Sequence, residues 1–274
     1  MRALRSATPL LAVLLVLAVW QFAVSILHVQ SYVLPSPQQT WQALRDDWAN
    51  VHSLAGQTLY ESVVGFVTGT GTGFLLAVAM AHVTIVHRVL YPILIATQAV
   101  PIVAIAAPLV IILGYGLAPK LVIVGLIVFF PVVVNVLDGL NSIDHGMVNL
   151  ARSMGAGPAK IFLLVRLPAT LTPLFSALKL GAAYAVTGAV IGEWTASITP
   201  GLGKDLLLKN SRLDTAGVYA DVLLLTTIGL GGFLLMTILE RVFTPWRTRG
   251  TARRWFRRTT PAEFRRTAPA ETKG

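Results

Sequence analysis

The stretch Asn149-Leu150-Ala151-Arg152-Ser153-Met154-Gly155, followed after nine intervening residues by Val165-Arg166-Leu167-Pro168, lies between two long apolar runs. Met147, Leu150, Ala151 and Met154 recur at helical spacing beside polar Asn149, Arg152 and Ser153, which makes a short apolar stripe on an otherwise polar helix. Asp144 is placed to cap its start, Gly155-Ala156-Gly157-Pro158 to end it, and Pro158 suits the first turn of a second helix running toward Leu167-Pro168. Such a helix either rests on a membrane surface or lies in a groove of another protein. With a glycine hinge behind it and a proline stop beyond, the unit suits a lever gripped from outside.

Outward from this loop the chain reads as membrane. Of its 274 residues 55% are hydrophobic and 12% charged, and its apolar runs reach the roughly 20 residues that a helix needs to cross a bilayer. Backbone polar groups cannot stay unpaired in lipid, and unbroken rather than alternating apolar runs select helices over a β-barrel. The expectation is an all-α membrane protein with six transmembrane helices, at 9–28, 58–81, 90–113, 119–137, 170–194 and 218–243. The first follows Arg2 and Arg5, but it is longer than a signal-peptide core and lacks a small-residue cleavage site, so it reads as a retained helix. The chain then divides into an N-terminal segment with the first span (1–30), an outer loop with an amphipathic helix (31–57), a core of five spans (58–246) that holds the loop 141–168, and a basic tail (247–274).

Basic residues orient the spans, because Lys and Arg in short loops stay cytoplasmic. With the N-terminus inside, the inner segments hold Arg2, Arg5, Arg88, Arg152, Lys160, Arg166, Arg241, Arg247 and Arg249, against Arg45, Lys120, Lys204, Lys209 and Arg212 outside. Nine against five places both termini in the cytoplasm. The tail adds seven more Arg and Lys and accounts for most of the net charge of +10. Rich in Arg, Thr, Pro and Ala, it cannot bury a core and is expected to be disordered against anionic lipid, so the basic balance does not imply nucleic acid. The chain has no Cys, which excludes disulfides and thiolate metal sites.

Within the spans, Gly65, Gly69 and Gly73 recur every four residues on one helix face, a pattern that lets a neighbouring helix come close. Pro101 and Pro108 interrupt the third span and bend it, with Pro101 a candidate for lining a translocation path. Ionisable groups inside a membrane are costly, which singles out Lys179 and Glu193 in the fifth span. Lys179 reads as a snorkelling side chain, a structural pair or a path residue, and Glu193 lies some 21 Å further along the same helix, too far to pair with it. Glu61 and Asp138 sit at span ends and read as hydrated.

Catalytic signals are weak. His28, His52, His82, His87 and His145 show no metal-binding spacing, and no Ser occupies a nucleophile elbow. Gly201-Leu202-Gly203-Lys204-Asp205 lacks the upstream Gly and the following Ser or Thr of a phosphate loop, and reads as an ordinary outer turn. No catalytic residue, metal or cofactor is assigned, and any nucleotide hydrolysis belongs to another chain.

The loop resembles the cytoplasmic "EAA" loop of ATP-binding-cassette (ABC) importer permeases, in which Glu-Ala-Ala, three residues, Gly, nine residues and Ile-x-Leu-Pro follow in order. Ala151, Gly155, Leu167 and Pro168 match and Val165 takes the Ile place, whereas Asn149 and Leu150 depart from Glu and Ala. Leu34-Pro35-Ser36-Pro37 before the amphipathic 41–48, Thr58-Leu59 with Ser62 and Gly65-Phe66, Gln98 to Pro108, and Gly114-Tyr115-Gly116 before Lys120 resemble permeases of the nitrate, sulfonate and taurine branch over 33–246. Phe129-Phe130-Pro131 through Asn135 to Asp138-Gly139-Leu140 is most similar to carriers of thiamine-pyrimidine precursors or riboflavin.

That resemblance implies a type I importer permease fold whose loop helix is a coupling helix, with Asn149, Leu150, Ala151, Arg152, Met154, Gly155, Leu167 and Pro168 meeting a cytoplasmic ABC ATPase. It also implies a homodimer in the inner membrane and an extracytoplasmic solute-binding protein. A second class stays open. Ala151-Arg152-Ser153 is similar to the Ala-Arg-Gly triplet of energising subunits in energy-coupling-factor vitamin importers, although only one such triplet is present.

Overall fold

A computed structural model describes residues 2–26, 30–196 and 198–245. Its elements are α1 (Arg2–Ile26), α2 (Pro37–Asp46), α3 (Trp48–His82), α4 (Thr84–Gln98), α5 (Ile102–Leu113), α6 (Leu117–Asn141), α7 (His145–Ser153), α8 (Pro158–Ile161), a π-helical turn (Phe162–Arg166), α9 (Leu167–Ala196), α10 (Leu202–Ser211) and α11 (Thr215–Phe243). Among the described residues no strand occurs. The basic tail 247–274 lies outside the described residues.

The centre of the fold is a three-helix contact of α3, α6 and α9, with α11 against α9 and with α2 and α10 closing one end. Lipid tails are as apolar as leucine, so hydrophobic burial contributes little to helix association there, and close backbone packing replaces it. Gly65, Gly69 and Gly73 supply that approach. A Cβ on Gly65 would meet the Val124 side chain, one on Gly69 would land on the Gly125 carbonyl oxygen, and one on Gly73 would come within 2.9 Å of the Phe129 carbonyl. Around this seam Met80, Val124, Val128, Val132, Val136 and Ala185 are almost fully buried. The outward faces carry exposed apolar side chains such as Leu75, Ile111, Leu180 and Leu235, as helices solvated by lipid do.

Among the described residues four helical stretches are long and apolar enough to cross a membrane, α3, α6, 158–196 and α11, or five if α4 and α5 make one broken span, against the six expected. Two further expectations change. The third span is not one kinked helix, because α4 and α5 meet at 105° across Ala99, Val100 and Pro101. A residue before proline is pushed out of the helical region, so the chain turns there, while Pro92 and Pro108 are absorbed within their helices. The second span starts earlier than expected: α3 has 35 residues, about 52 Å at 1.5 Å per residue, so its first turns stand beyond a hydrocarbon core of about 30 Å.

The loop before it folds as expected into an amphipathic helix. Ser36 caps α2 by accepting from the Gln39 N–H at 3.2 Å while the Gln39 side chain accepts from the Ser36 N–H at 2.9 Å. The apolar part of α1, Leu14–Ile26, is a shorter helix. It is anchored where the Trp20 indole donates to the Pro35 carbonyl at 3.0 Å and its ring packs on Tyr219 at 5.8 Å.

The glycine seam makes a paired prediction. Gly69→Leu drives a side chain into the α6 backbone and should cost on the order of 1–3 kcal/mol or more by overpacking. Gly71, one residue pair along the same helix, has nothing within 4 Å of a Cβ, so Gly71→Leu should leave stability unchanged. The fraction of detergent-purified chain still monodisperse on size exclusion after a heating series checks both; equal tolerance would mean that the seam does not carry the fold.

Candidate functional site

At one end of the bundle α6 gives way to the loop. The Asp144 carboxylate accepts from the Gly146 N–H at 2.8 Å and caps α7. Nine residues are too few for a helix to persist alone. Val148, 6% exposed, is the large apolar side chain that α7 buries, and the sequence pattern missed it. The stripe picked from that pattern faces the other way: Met147, Leu150 and Met154 are 56%, 63% and 80% exposed.

What read as a glycine hinge is a fixed corner. Gly155 has φ +80°, its N–H donates to the Arg152 carbonyl at 2.9 Å, and the Ala156 N–H donates to the Ala151 carbonyl at 3.0 Å. These two bonds satisfy carbonyls left open at the end of α7, and the left-handed backbone between them is strained for a residue with a Cβ. Pro158 then occupies the first turn of α8.

The expected proline stop is corrected. Helical structure runs from Pro158 to Ala196 without a break, because the turn before Pro168 is π-helical, with the Leu167 N–H donating to the Phe162 carbonyl five residues back. Widening this turn makes room for the proline ring, which would clash with the carbonyl four residues earlier in a regular helix. Thr170 Oγ1 also donates to the Arg166 carbonyl at 2.6 Å. Leu167 and Pro168 therefore splice the loop onto a spanning helix.

The opposite end holds a network of buried charge. Lys120 Nζ donates to Glu61 at 2.7 Å and to the Thr199 carbonyl at 2.9 Å, and both charged side chains are 0% exposed. Gln57 Nε2 adds a 2.8 Å hydrogen bond to the same Glu61 oxygen. Glu61 is thus not hydrated, as its position at a span end suggested, and Lys120 is no loop charge. Asp138 is exposed.

Beside this pair, Glu193 accepts from Thr58 Oγ1 at 2.6 Å, from the Gly203 N–H at 2.7 Å and from the Lys204 N–H at 3.1 Å. Gly201 is required here, since a Cβ would strike the Glu193 carboxylate. The stretch 201–205, which read as a turn, is the first turn of α10, and its Leu202, Gly203 and Lys204 N–H groups tie it to Thr58 of α3 and Glu193 of α9. One helix turn on, Lys209 reaches Asp205 at 2.7 Å, Asp221 at 2.9 Å and Asp47 at 3.3 Å, joining α10 to α11 and to the start of α3. Burial alone would lower the Lys209 ammonium, but Asp205 and Asp221 together hold it above its ordinary value.

Lys179 pairs with Glu240 of α11 at 2.8 Å. Pro101 is exposed at the α4–α5 corner. A mostly apolar cleft of about 800 Å³ opens between α5, α9 and α11, lined by Val103, Val186, Val190, Trp194, Leu225 and Phe233 among others. Pro101, Lys179 and Glu193 do not line it.

The family model described as "Binding-protein-dependent transport system inner membrane component" matches residues 69–246. A probable ABC transporter permease protein of Haemophilus influenzae is 35% identical over 227 residues, 83% of this chain and 92% of the relative. The formylaminopyrimidine transport permease protein of Halalkalibacterium halodurans is 31% identical over 251 residues, 90% of this chain and 99% of the relative. Among solved structures, an inward-facing form of the MetNI methionine ABC transporter has a TM-score of 0.57 at 22% identity, covering 76% of this chain and 99% of that one, a likeness of fold. The fold is that of type I importer permeases, and the energy-coupling-factor alternative is set aside.

The buried pair gives a second prediction. Lys120→Met leaves Glu61 buried without its cation and should destabilise the chain by about 3–5 kcal/mol. The double change Glu61→Leu with Lys120→Met removes both charges and should recover most of that loss. A thermal-unfolding double-mutant cycle in detergent reads the coupling; additive effects of the two single changes would mean that the pair does not interact.

Proposed function

This chain belongs to the family of binding-protein-dependent transport inner membrane components and is the membrane-spanning permease subunit of an ABC importer; we propose that two copies of it form the path and that α7 is the handle by which a separate cytoplasmic ATPase moves them. The exposed stripe of Met147, Leu150 and Met154 on a capped helix carries this reading. A soluble-facing helix that shows three large apolar side chains is built for a groove. Ala151 keeps the stripe narrow, Asn149 and Arg152 lie on the polar side of the helix, Gly155 sets the corner, and Leu167 and Pro168 pass motion into α9.

Orientation follows the basic residues: α7 and both termini in the cytoplasm, α2 and α10 outside, where a solute-binding protein docks. The cargo is a small polar solute, a thiamine-pyrimidine precursor before riboflavin, a sulfonate or nitrate, a ranking supported by the full-length likeness to a formylaminopyrimidine permease. Pro101, Lys179 and Glu193 remain candidates for the path. ATP-driven closure of the ATPases brings the two α7 helices together and shifts the permease pair between inward and outward access, so the coupling is a population shift with no chemistry on this chain.

The test is topological. The chain has no native Cys, and Ser31 and Ser153 are both exposed. Ser31→Cys should react with an impermeant maleimide in intact cells, and Ser153→Cys only after permeabilisation. Labelling of Ser153→Cys from outside would put α7 on the wrong side for an ATPase and end this reading.

A further inference from the structure

Behind α7, on the side away from its exposed stripe, lies a cleft of about 400 Å³ between the end of α3 and the turn from α8 into α9. Its lining includes His82, Arg152, Ile161, Phe162 and Arg166, and none of its lining residues is acidic. Arg152 lies roughly 140–160° around α7 from Met147, Leu150 and Met154, and roughly 40° from the buried Val148, at 100° per residue. Arg152 therefore lies off the stripe; it is exposed and lines the cleft. Among the described residues neither Arg152 nor Arg166 has an acidic partner in an ion pair, whereas Lys120, Lys179 and Lys209 all do. His82 is held in place by Nδ1–H donation to the Val78 carbonyl at 2.9 Å and by edge packing on Phe162 at 5.6 Å.

Exposed apolar side chains adjoin the lining residues in sequence: Leu163 and Leu164, which follow Phe162, are 58% and 67% exposed, and Ile85, three residues after His82, is 74% exposed. Two arginines lining one cleft, with exposed apolar side chains on the same short segments, match a molecule with an anionic head and apolar tails. Arginine suits a phosphodiester because its planar donors meet two oxygens at once. Basic pockets at the cytoplasmic ends of spanning helices are where such head groups settle.

We propose that the His82–Arg152–Arg166 cleft binds the head group of an anionic phospholipid, whose chains lie along Leu163, Leu164 and Ile85. The bound lipid ties α7 and the α8–α9 turn to the end of α3, and so sets the resting position of the coupling loop. A free phosphate ion shares the head-group chemistry but would gain nothing from these apolar side chains. The placement at the cytoplasmic boundary rests on the orientation given above; the binding measurement needs neither ATPase nor binding protein, so it fails or succeeds independently of that reading.

The experiment titrates detergent-solubilised full-length chain with fluorescent phosphatidylglycerol, with phosphatidylcholine and inorganic phosphate as the other arms. Phosphatidylglycerol should bind saturably at one site per chain, and Arg152→Gln with Arg166→Gln should weaken it by roughly tenfold or more, the loss of two charge-assisted contacts. Arg166→Lys should weaken it less than Arg166→Gln, and Arg241→Gln, a basic residue outside the cleft lining, should leave it unchanged. Equal binding of phosphatidylcholine, full competition by millimolar phosphate, or an equal loss with Arg241→Gln would overturn the assignment. Monodisperse elution and unchanged helical circular dichroism of each variant separate loss of binding from loss of fold.

Discussion

The near contact of two backbones at Gly69 and Gly125 is the constraint on which the rest of the molecule hangs. In a bilayer the apolar faces of two helices gain little by leaving lipid for each other, so the bundle depends on shape and on polar pairs. Because α3 and α6 touch at glycines, Glu61 on one and Lys120 on the other reach each other with direct hydrogen-bonding geometry at 2.7 Å. Breaking the seam would leave two full charges in a place without water. The glycines are thus the condition under which a buried ion pair is tolerable, and the pair in turn fixes the register of the two helices.

One helix links the two functional ends. From Leu167 to Ala196, α9 has 30 residues, about 45 Å at its standard rise. Its inner end is spliced to the corner at Gly155 and so to α7, and its outer end carries Glu193, which accepts from the Gly203 and Lys204 N–H groups at the start of α10. Helical structure runs unbroken from Pro158 to Ala196 along this line. On the function proposed above, a displacement of α7 by an ATPase would be carried along α9 to the end where a binding protein would dock. The π-helical turn before Pro168 lies on that line, and its Phe162 and Arg166 line the basic cleft.

Much of this was legible in the residues. Unbroken apolar runs required helices, the four-residue glycine spacing marked the seam, and Asp144, Gly155 and Pro158 marked the ends of the loop helices. Other features depend on partners distant in sequence. Glu61 and Lys120 each look like solvated ends of spans; only a topology that puts both ends on the same side and close together shows them as a pair, and that topology was available from the spans. The break at Pro101 and the passage of α9 through Pro168 show why proline is ambiguous: the outcome turns on whether a neighbouring turn can widen, which composition does not encode. Val148 escaped notice because the exposed stripe on α7 is the longer apolar pattern, and the burial rule alone cannot tell a face that packs within the chain from one that waits for another protein.

The handle itself is open to direct measurement. Leu150→Asp combined with Met154→Asp changes only side chains that are exposed in this chain, and it leaves the Asp144 cap, the Gly155 corner and the buried seam intact. Affinity of the purified ATPase for the reconstituted permease, measured with and without nucleotide, should fall by at least about tenfold, the cost of placing carboxylates in an apolar groove, while docking of the external binding protein is unchanged. Unaltered ATPase affinity for a variant that inserts and stays monodisperse would show that the motor grips this permease somewhere other than α7.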